Sequence, residues 1–471
     1  MIQKVSLIAV LVIGLILRLY KIDSPLADWH SHRQADTASV TRNLSQNLEN
    51  FFTPTYHDLS NLQSGQENPQ GYRMVELPLY NLFSLITVKI TGQSLEISSR
   101  LTSILFSLGS SFIIFLIVRR LTNLFWPSLL STAVFLFLPF SIYYSRAILP
   151  ENVAVFFMLL CLYFFPKNLI VAGITLGLSF LVKPFTGFIV FPALIYLTLS
   201  HRPPLLKLFI FFVLAILPFF FWRQHISHFP QGIPASAWLF NNSDKPIFPE
   251  WYRGYNLTFI NHLVAFRPSW FNWLFNIRIN QLILGSFGLV PFIVGFAYRH
   301  RQVKITNFSL FLGTMFYFII VAQGNIQHDY YQILIIPQIA ISTGLGLYYL
   351  RQHSFFLFLI PVTIGLVISW SQIKNYYHIN NQNIIKAGQI ANQLLPQDAI
   401  VVAPYNGDTS FLYQINRSGY PIDIYDLDSI KNLHPNNPLF LVSVNFDDYT
   451  NKIIKSNTVI IQNKDFVIVK L

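Results

Sequence analysis

Apolar runs of about 17–20 residues, separated by short polar connections, recur along the chain, and that is the length an α-helix needs to cross a bilayer core. The runs predict spans at 4–21, 101–118, 124–143, 152–165, 168–182, 187–200, 205–222, 280–298, 305–322, 331–350 and 354–371. LPLYNLFSLITVKI, within 77–91, is apolar but short and carries Lys89 near its end, so it fits either a span or an interfacial helix. Basic residues choose between the two. With 77–91 in the interface, Arg119 and Arg120, Lys167, Arg202 with Lys207, Arg299 with Arg301 and Lys304, and Arg351 all fall on one side, as the positive-inside rule requires. The first run, Val5 to Tyr20, follows Lys4 and lacks a small-residue cleavage site, so it reads as a retained helix. The expectation is an α-helical polytopic membrane protein of about eleven spans, with the N-terminus cytoplasmic and the C-terminus outside.

After Ser371 the pattern changes. Charged and Asn-rich sequence leads into a helix near 378–395, then to strand-like DAIVVAP, LFLVSV and NTVIIQNKDFVIVKL, the last reading as a hairpin around Asn463-Lys464. The predicted organisation is a membrane domain over 1–371, with outer loops at 22–100 and 223–279, and a small extracytoplasmic α/β domain over 372–471. GDTS at 407–410 is too short to be read as a motif.

Composition sharpens this picture. Of 471 residues, 53% are hydrophobic and 11% charged, against roughly 25% charged in soluble proteins, which excludes an ordinary water-soluble fold. The net charge of +12 is scattered over short connections, pointing to orientation and lipid headgroups rather than nucleic acid. Cys161 stands alone in an apolar run, which excludes disulfides and a thiolate metal cluster.

The polar residues that composition leaves unexplained cluster in the predicted outer segments. ADWHSHRQADTASVTRNL, residues 27–44, holds Asp28, His30, His32, Arg33, Asp36 and Arg42. Asp36 reads either as a solvated partner of Arg33 one helical turn away or, like Asp28, as a general base toward an acceptor hydroxyl or amine. His30, His32 and Asp36 are candidate ligands of a divalent cation. Glu76 reads as a helix-start carboxylate or as a second acid of the same site. Arg146 and Glu151 bracket Pro150, and Lys183 stands before Pro184 at the end of a span, either as a snorkelling anchor or as a functional charge. His328, Asp329, Tyr330 and Tyr331 precede another span, where tyrosines suit an aromatic belt. The loop 223–279 contributes Trp238, Trp251, Trp270, Trp273, Arg253 and Arg267, side chains that suit sugar faces and phosphates as well as a membrane surface.

The order of these motifs resembles the GT-C membrane glycosyltransferases of the protein O-mannosyltransferase and aminoarabinose transferase type (family 39-like). DWHSHRQADTASVTRN, ELPLYNLFSL and GQSLEISSRL, followed by SRAILPENV and FLVKPFTG, carry the resemblance, well over about residues 5–200 and loosely over 200–371. Where the family has an acidic pair, this chain has Arg33-Gln34, and Asp36 lies three residues on, with Asp28 as the competing acid. The resemblance implies a polyprenyl-phosphate sugar donor and a lipid, glycan or protein acceptor attacked on the outer side, with inversion and no covalent intermediate. It implies Asp36 or Asp28 as base, Lys183, Arg146 and Arg253 as cations for the leaving phosphate, and Glu76, Glu151, Arg33, His328 and Tyr331 shaping the acceptor site. Some family members use a divalent metal and others do not. Two other classes compete: a transporter or flippase of lipid-linked sugars, which predicts broken helices at mid-membrane, and a scaffold displaying the C-terminal domain.

Overall fold

The computed structural model describes residues 2–236, 239, 268–423 and 427–471. Its chain divides into two compact units, one of Met1–Ile22, Thr102–Arg223 and Ser236–Tyr376, the other of Asp23–Leu101, Gln224–Ala235 and Tyr377–Leu471.

The first unit is helical. Among the described residues, Leu95–Thr122, Leu205–Ile226, Arg301–Ile320, Asp329–His353 and Phe355–Tyr377 are each long and apolar enough to cross a membrane. Phe125–Phe137, Glu151–Phe164, Leu169–Val182 and Thr186–His201 are apolar but shorter, about 20–24 Å at 1.5 Å per residue. Leu205, Phe209, Phe356 and Val367 stand exposed, an arrangement that suits lipid rather than water. Between helices surrounded by lipid tails the hydrophobic drive is absent, so close packing holds them and small residues mark the contacts. A Cβ on Gly346 would sit 1.8 Å from the Pro291 carbonyl oxygen, so the helices Ile336–His353 and Leu289–Val294 approach backbone to backbone. Arg18, fully buried at the end of helix Ile2–Arg18, donates to the carbonyls of Gly14 and Leu136 at 2.9 and 2.8 Å, fixing the first helix against Phe125–Phe137.

Three predicted spans are not single helices. The run 124–143 breaks at Leu138, because Pro139 has no N–H to continue the ladder, and restarts as Pro139–Tyr144. The run 331–350 opens as the 3-10 turn Asp329–Ile335 before Ile336–His353. The run 280–298 becomes a π-helix over Asn272–Ile283, a turn, Leu289–Val294 and a short 3-10 turn. Its turn is set by Gly285, at φ 57°, whose Cα side faces the Gly365 carbonyl too closely for any side chain.

The second unit joins the first polar segment to the C-terminal residues, a grouping that the loop pattern does not show. Helix Ser31–Gln46 packs on helix Leu79–Thr91, and Asn81 donates to the Thr37 carbonyl and to Thr41 Oγ1, both at 2.8 Å. The C-terminal sheet runs β2-β1-β3-β5-β4, with β1 Ile400–Val402, β2 Gly419–Tyr420, β3 Leu439–Ser443, β4 Thr458–Gln462 and β5 Val467–Lys470. β1 is parallel to β2 and β3, whereas β5 pairs antiparallel with β3 and β4. The expected strands and the β4–β5 hairpin are therefore present. One face of the sheet packs on Ile384, Ala387, Ala391, Phe411 and Leu412; the other buries Leu59, Tyr420, Ile430 and Ile453. His57 and Leu59 bond to the Gly419 backbone at 2.8 Å each, so residues 57–59 extend the sheet beyond β2.

Gly285→Ala and Gly92→Ala both place a side chain at positive φ, but only Gly92 has open space around it. We expect Gly92→Ala to cost about 1 kcal/mol and Gly285→Ala roughly 1–3 kcal/mol more, read as thermal unfolding in detergent.

Candidate active site

Ser31–Gln46 is polar in sequence, yet Arg33 through Thr41 are buried along it. A polar helix can be enclosed only if its groups find partners. Asp36 is 2% exposed: Arg73 Nη2 lies 3.1 Å from its Oδ2, and the Thr409 hydroxyl donates to its Oδ1 at 2.7 Å. Arg33 pairs instead with Glu76. The local Arg33–Asp36 pairing open in the sequence is therefore replaced by two longer-range pairs, and neither acid is a solvated loop residue. Between them lies a cavity of about 10 Å³, roughly one water in size, lined by Arg33, Asp36, Thr37, Arg73, Glu76 and Asn81.

Asp28 is also buried but serves the backbone turn, accepting from Gln34 Nε2 at 2.8 Å. His30 adopts φ 53° at the helix start, and its ring lies edge-on to His32 at 5.7 Å between centroids. Desolvation holds His32 below the usual imidazole range, with Asp408 and Asp36 opposing it. Both oxygens of Asp36 are engaged, Oδ2 by Arg73 and Oδ1 by Thr409.

Behind Asp36 is a second buried group. Arg73 lies over the Tyr56 ring at 5.2 Å, and the Tyr56 hydroxyl donates to Asp58 at 3.4 Å, while Ser60 N donates to Asp58 Oδ1 at 2.8 Å. Burial pushes the Asp58 carboxyl up to about 7. Burial, with Arg42 and Arg417 nearby, pushes the His57 imidazole down to about 3.

In the first unit, Lys183 Nζ pairs with Glu151 at 3.0 Å, and both side chains are buried, which excludes a snorkelling role. The pair joins the end of helix Leu169–Val182 to the first turn of Glu151–Phe164, where the helix dipole favours the carboxylate, and Ser179 Oγ pins the two helices by donating to the Ala154 carbonyl at 2.9 Å. Lys183 also faces the Tyr331 ring at 5.8 Å, and Tyr331 stacks on Tyr330 and His328. Directly after Lys183, Pro184 enters the wall of an apolar groove of about 500 Å³, shared with Phe180, Gly187, Phe191, Phe212 and Phe316. Arg146 is turned inward, donating to the Lys21 carbonyl at 2.9 Å with Tyr143 against its guanidinium. Asp329 accepts from Tyr144 and Tyr376 and pairs with Arg278 at 3.2 Å. Trp270 and Trp273 belong to this unit, whereas Trp238, Trp251, Arg253 and Arg267 lie outside the described residues.

Residues 75–226 match the family profile of dolichyl-phosphate-mannose-protein mannosyltransferases. The resemblance read from the motifs holds. The chain also superposes on two crystal structures of ArnT from Cupriavidus metallidurans. The one bound to undecaprenyl phosphate gives 11% identity and a TM-score of 0.68, and the apo one 12% and 0.65; each covers 98% of this chain and 97% of that one. A third likeness is to an oligosaccharyltransferase of Archaeoglobus fulgidus tethered to an acceptor peptide, at 10% identity and TM-score 0.50 over 93% of this chain and 69% of that one. No curated protein matches the chain in sequence. At such identities the likenesses establish the fold: it is of the GT-C type, with a small C-terminal α/β sheet.

The motif pattern singled out Asp36, Glu76, Glu151 and Lys183, which the structure places in buried ion pairs, but not their neighbours Arg73, Thr409, His57, Asp58, Arg278 and Tyr376. Arg73 stands three residues before Glu76, and that spacing is its one local signal.

His57 and Asp58 exchange protons with folding in opposite directions. Between about pH 4 and 6.5 the unfolded chain carries a charged imidazole and a carboxylate, the folded one a neutral imidazole and a carboxylic acid, so the proton counts match and their pH slopes cancel. Asp58→Asn removes stability that is present at low pH and lost as pH rises toward 7; relative to wild type its stability should climb with pH from about 4 to 7, by up to about 1 kcal/mol per unit. His57→Gln should do the reverse, falling relative to wild type from about pH 3 to 6.5. Thermal unfolding across this range checks both slopes.

Proposed function

We propose that this protein is a glycosyltransferase that moves a sugar from a polyprenyl-phosphate donor to a lipid, glycan or protein acceptor at the extracytoplasmic face of a membrane. The observation that carries the reading is a buried, paired lysine one residue from an apolar groove of about 500 Å³: Lys183, then Pro184 in the groove wall. A polyprenyl phosphate presents that combination, an apolar chain ending in an anion. Family match and fold support it, since the ArnT structure of the same architecture binds undecaprenyl phosphate.

In this reading Lys183 meets the charge that develops on the departing phosphate, and Glu151 keeps the lysine in place until it does. Asp36 takes the proton of the acceptor hydroxyl or amine as that atom bonds to the sugar C1; the C1–O bond to phosphate breaks, and the phosphate leaves with the electron pair. One displacement inverts C1 without a covalent intermediate. Asp36 is favoured over Asp28 as base because Arg73 and Thr409 hold both of its oxygens in one plane, whereas Asp28 braces the turn before the helix. The loop charges orient the chain with residues 372–471 outside. The break at Leu284–Gly288 does not favour a transporter: it follows from Gly285 against Gly365, and the cavity beside it is lined by apolar residues such as Leu284, Pro291 and Leu366.

The test is transfer of label from undecaprenyl-phosphate [¹⁴C]hexose or pentose into lipid, glycan or protein fractions, with the purified protein in phosphatidylethanolamine–phosphatidylglycerol vesicles. Asp36→Asn should lower kcat by about 10²–10⁴-fold, and Asp28→Asn by less than about tenfold. Lys183→Met combined with Glu151→Gln, which leaves no lone buried charge, should cost at least about tenfold in kcat/KM. Wild-type protein that transfers no label from either sugar class would rule the reading out.

A further inference from the structure

Three contacts run from the C-terminal residues along the helix that carries Asp36. Ser31 Oγ donates to Asp408 Oδ2 at 3.0 Å. The Thr409 hydroxyl lies 2.7 Å from Asp36 Oδ1 and 3.1 Å from the His32 carbonyl, and its one proton goes to the nearer, charged acceptor. Arg42 donates to the Tyr413 carbonyl and to Asn416 Oδ1 at 3.0 and 2.9 Å. The loop that delivers Thr409 is itself fixed: Tyr405 N and Gly407 N both bond to the Pro421 carbonyl, and Ser410 N donates to Asp408 Oδ1 at 2.8 Å. Gly407 holds φ 77°, a conformation side chains resist.

From this geometry we infer that Thr409, in the loop GDTS, is a positioning residue for the reaction, so that the C-terminal α/β residues complete the active site rather than decorate it. The inference rests on Asp36 being the base. A base must be ionised and aimed before the acceptor arrives. Arg73 holds Oδ2; without a donor on Oδ1 the carboxylate could turn about its Cβ–Cγ bond. Thr409 fixes that plane. Among the described residues, the charged and titratable groups facing Asp36 are Arg73, the Arg33–Glu76 pair, His32, Tyr56 and Asp58, with Asp408 beside His32.

The experiment compares Thr409→Val, equal in shape but without the hydroxyl, with Thr409→Ser, which keeps it, in the vesicle assay across pH 4–9, beside Asp36→Asn. Thr409→Val should lower kcat about tenfold, move the acid limb of the rate profile up by about one pH unit and leave the donor KM unchanged. Thr409→Ser should restore the wild-type profile. A purely structural Thr409 would lower the amount of folded protein without moving the limb. If Asp36→Asn is inactive while Thr409→Val keeps the wild-type rate and profile, the positioning role is overturned and Asp36 stands as base. If Asp36→Asn is active, the base assignment fails and this inference fails with it. Should Thr409→Val not fold, Thr409→Ala is assayed in its place against the same limb.

Discussion

A charge taken out of water must be met by an opposite charge or by hydrogen-bonding groups, and in this protein that requirement decides which parts of the chain come together. Arg33 with Glu76, Arg73 with Asp36, Lys183 with Glu151 and Arg278 with Asp329 are pairs whose members are at least largely buried. Such pairs add little net stability over apolar substitutes, but removing one partner strands the other at a cost of about 3–5 kcal/mol. They therefore act as registration devices. Each pair ties two elements of its unit into one arrangement, and the arrangement gives a carboxylate or an ammonium a fixed direction.

The consequence is clearest at Ser31–Gln46. Few of its positions are apolar, and alone it would be a marginal helix. It is stable here because Asn81 bonds along one side, Arg73 and Glu76 neutralise its charges, and residues 408–416 bond along another. The same enclosure disfavours the charged forms of both Asp58 and His57, raising one pKa and lowering the other, so between about pH 4 and 6.5 the interior behind Asp36 holds both groups neutral. A base set in such surroundings feels its nearest donors strongly, since little solvent screens them.

In the helical unit the constraint is geometric. Backbone polar groups in lipid must be satisfied within the helix, so a helix breaks only where a proline or a close backbone crossing forces it and neighbours cover the gap. Among the described residues, Pro139 and the Gly285–Gly365 crossing are two such places. Lys183 sits at another kind of boundary, where one helix ends against Pro184 and the groove begins.

The sequence by itself determined what depends on local periodicity and composition: bilayer-length apolar runs, the change of pattern after Ser371, four of the five strands of the C-terminal sheet (all but β2) and the acids and lysine at helix ends. Run length, alternation and capping are all properties of neighbouring residues, so a linear reading reaches them. It also marked Asp36, Glu76, Glu151 and Lys183, because charges in an oily chain stand out. What only the tertiary structure decided is which partner each charge receives. Along the chain Arg33 is the nearest cation to Asp36, one helical turn away; in space Arg73 takes Asp36, and Thr409, 373 residues distant, closes the other side. Desolvation energy depends on everything that surrounds a group in three dimensions, and no spacing in the sequence encodes that enclosure.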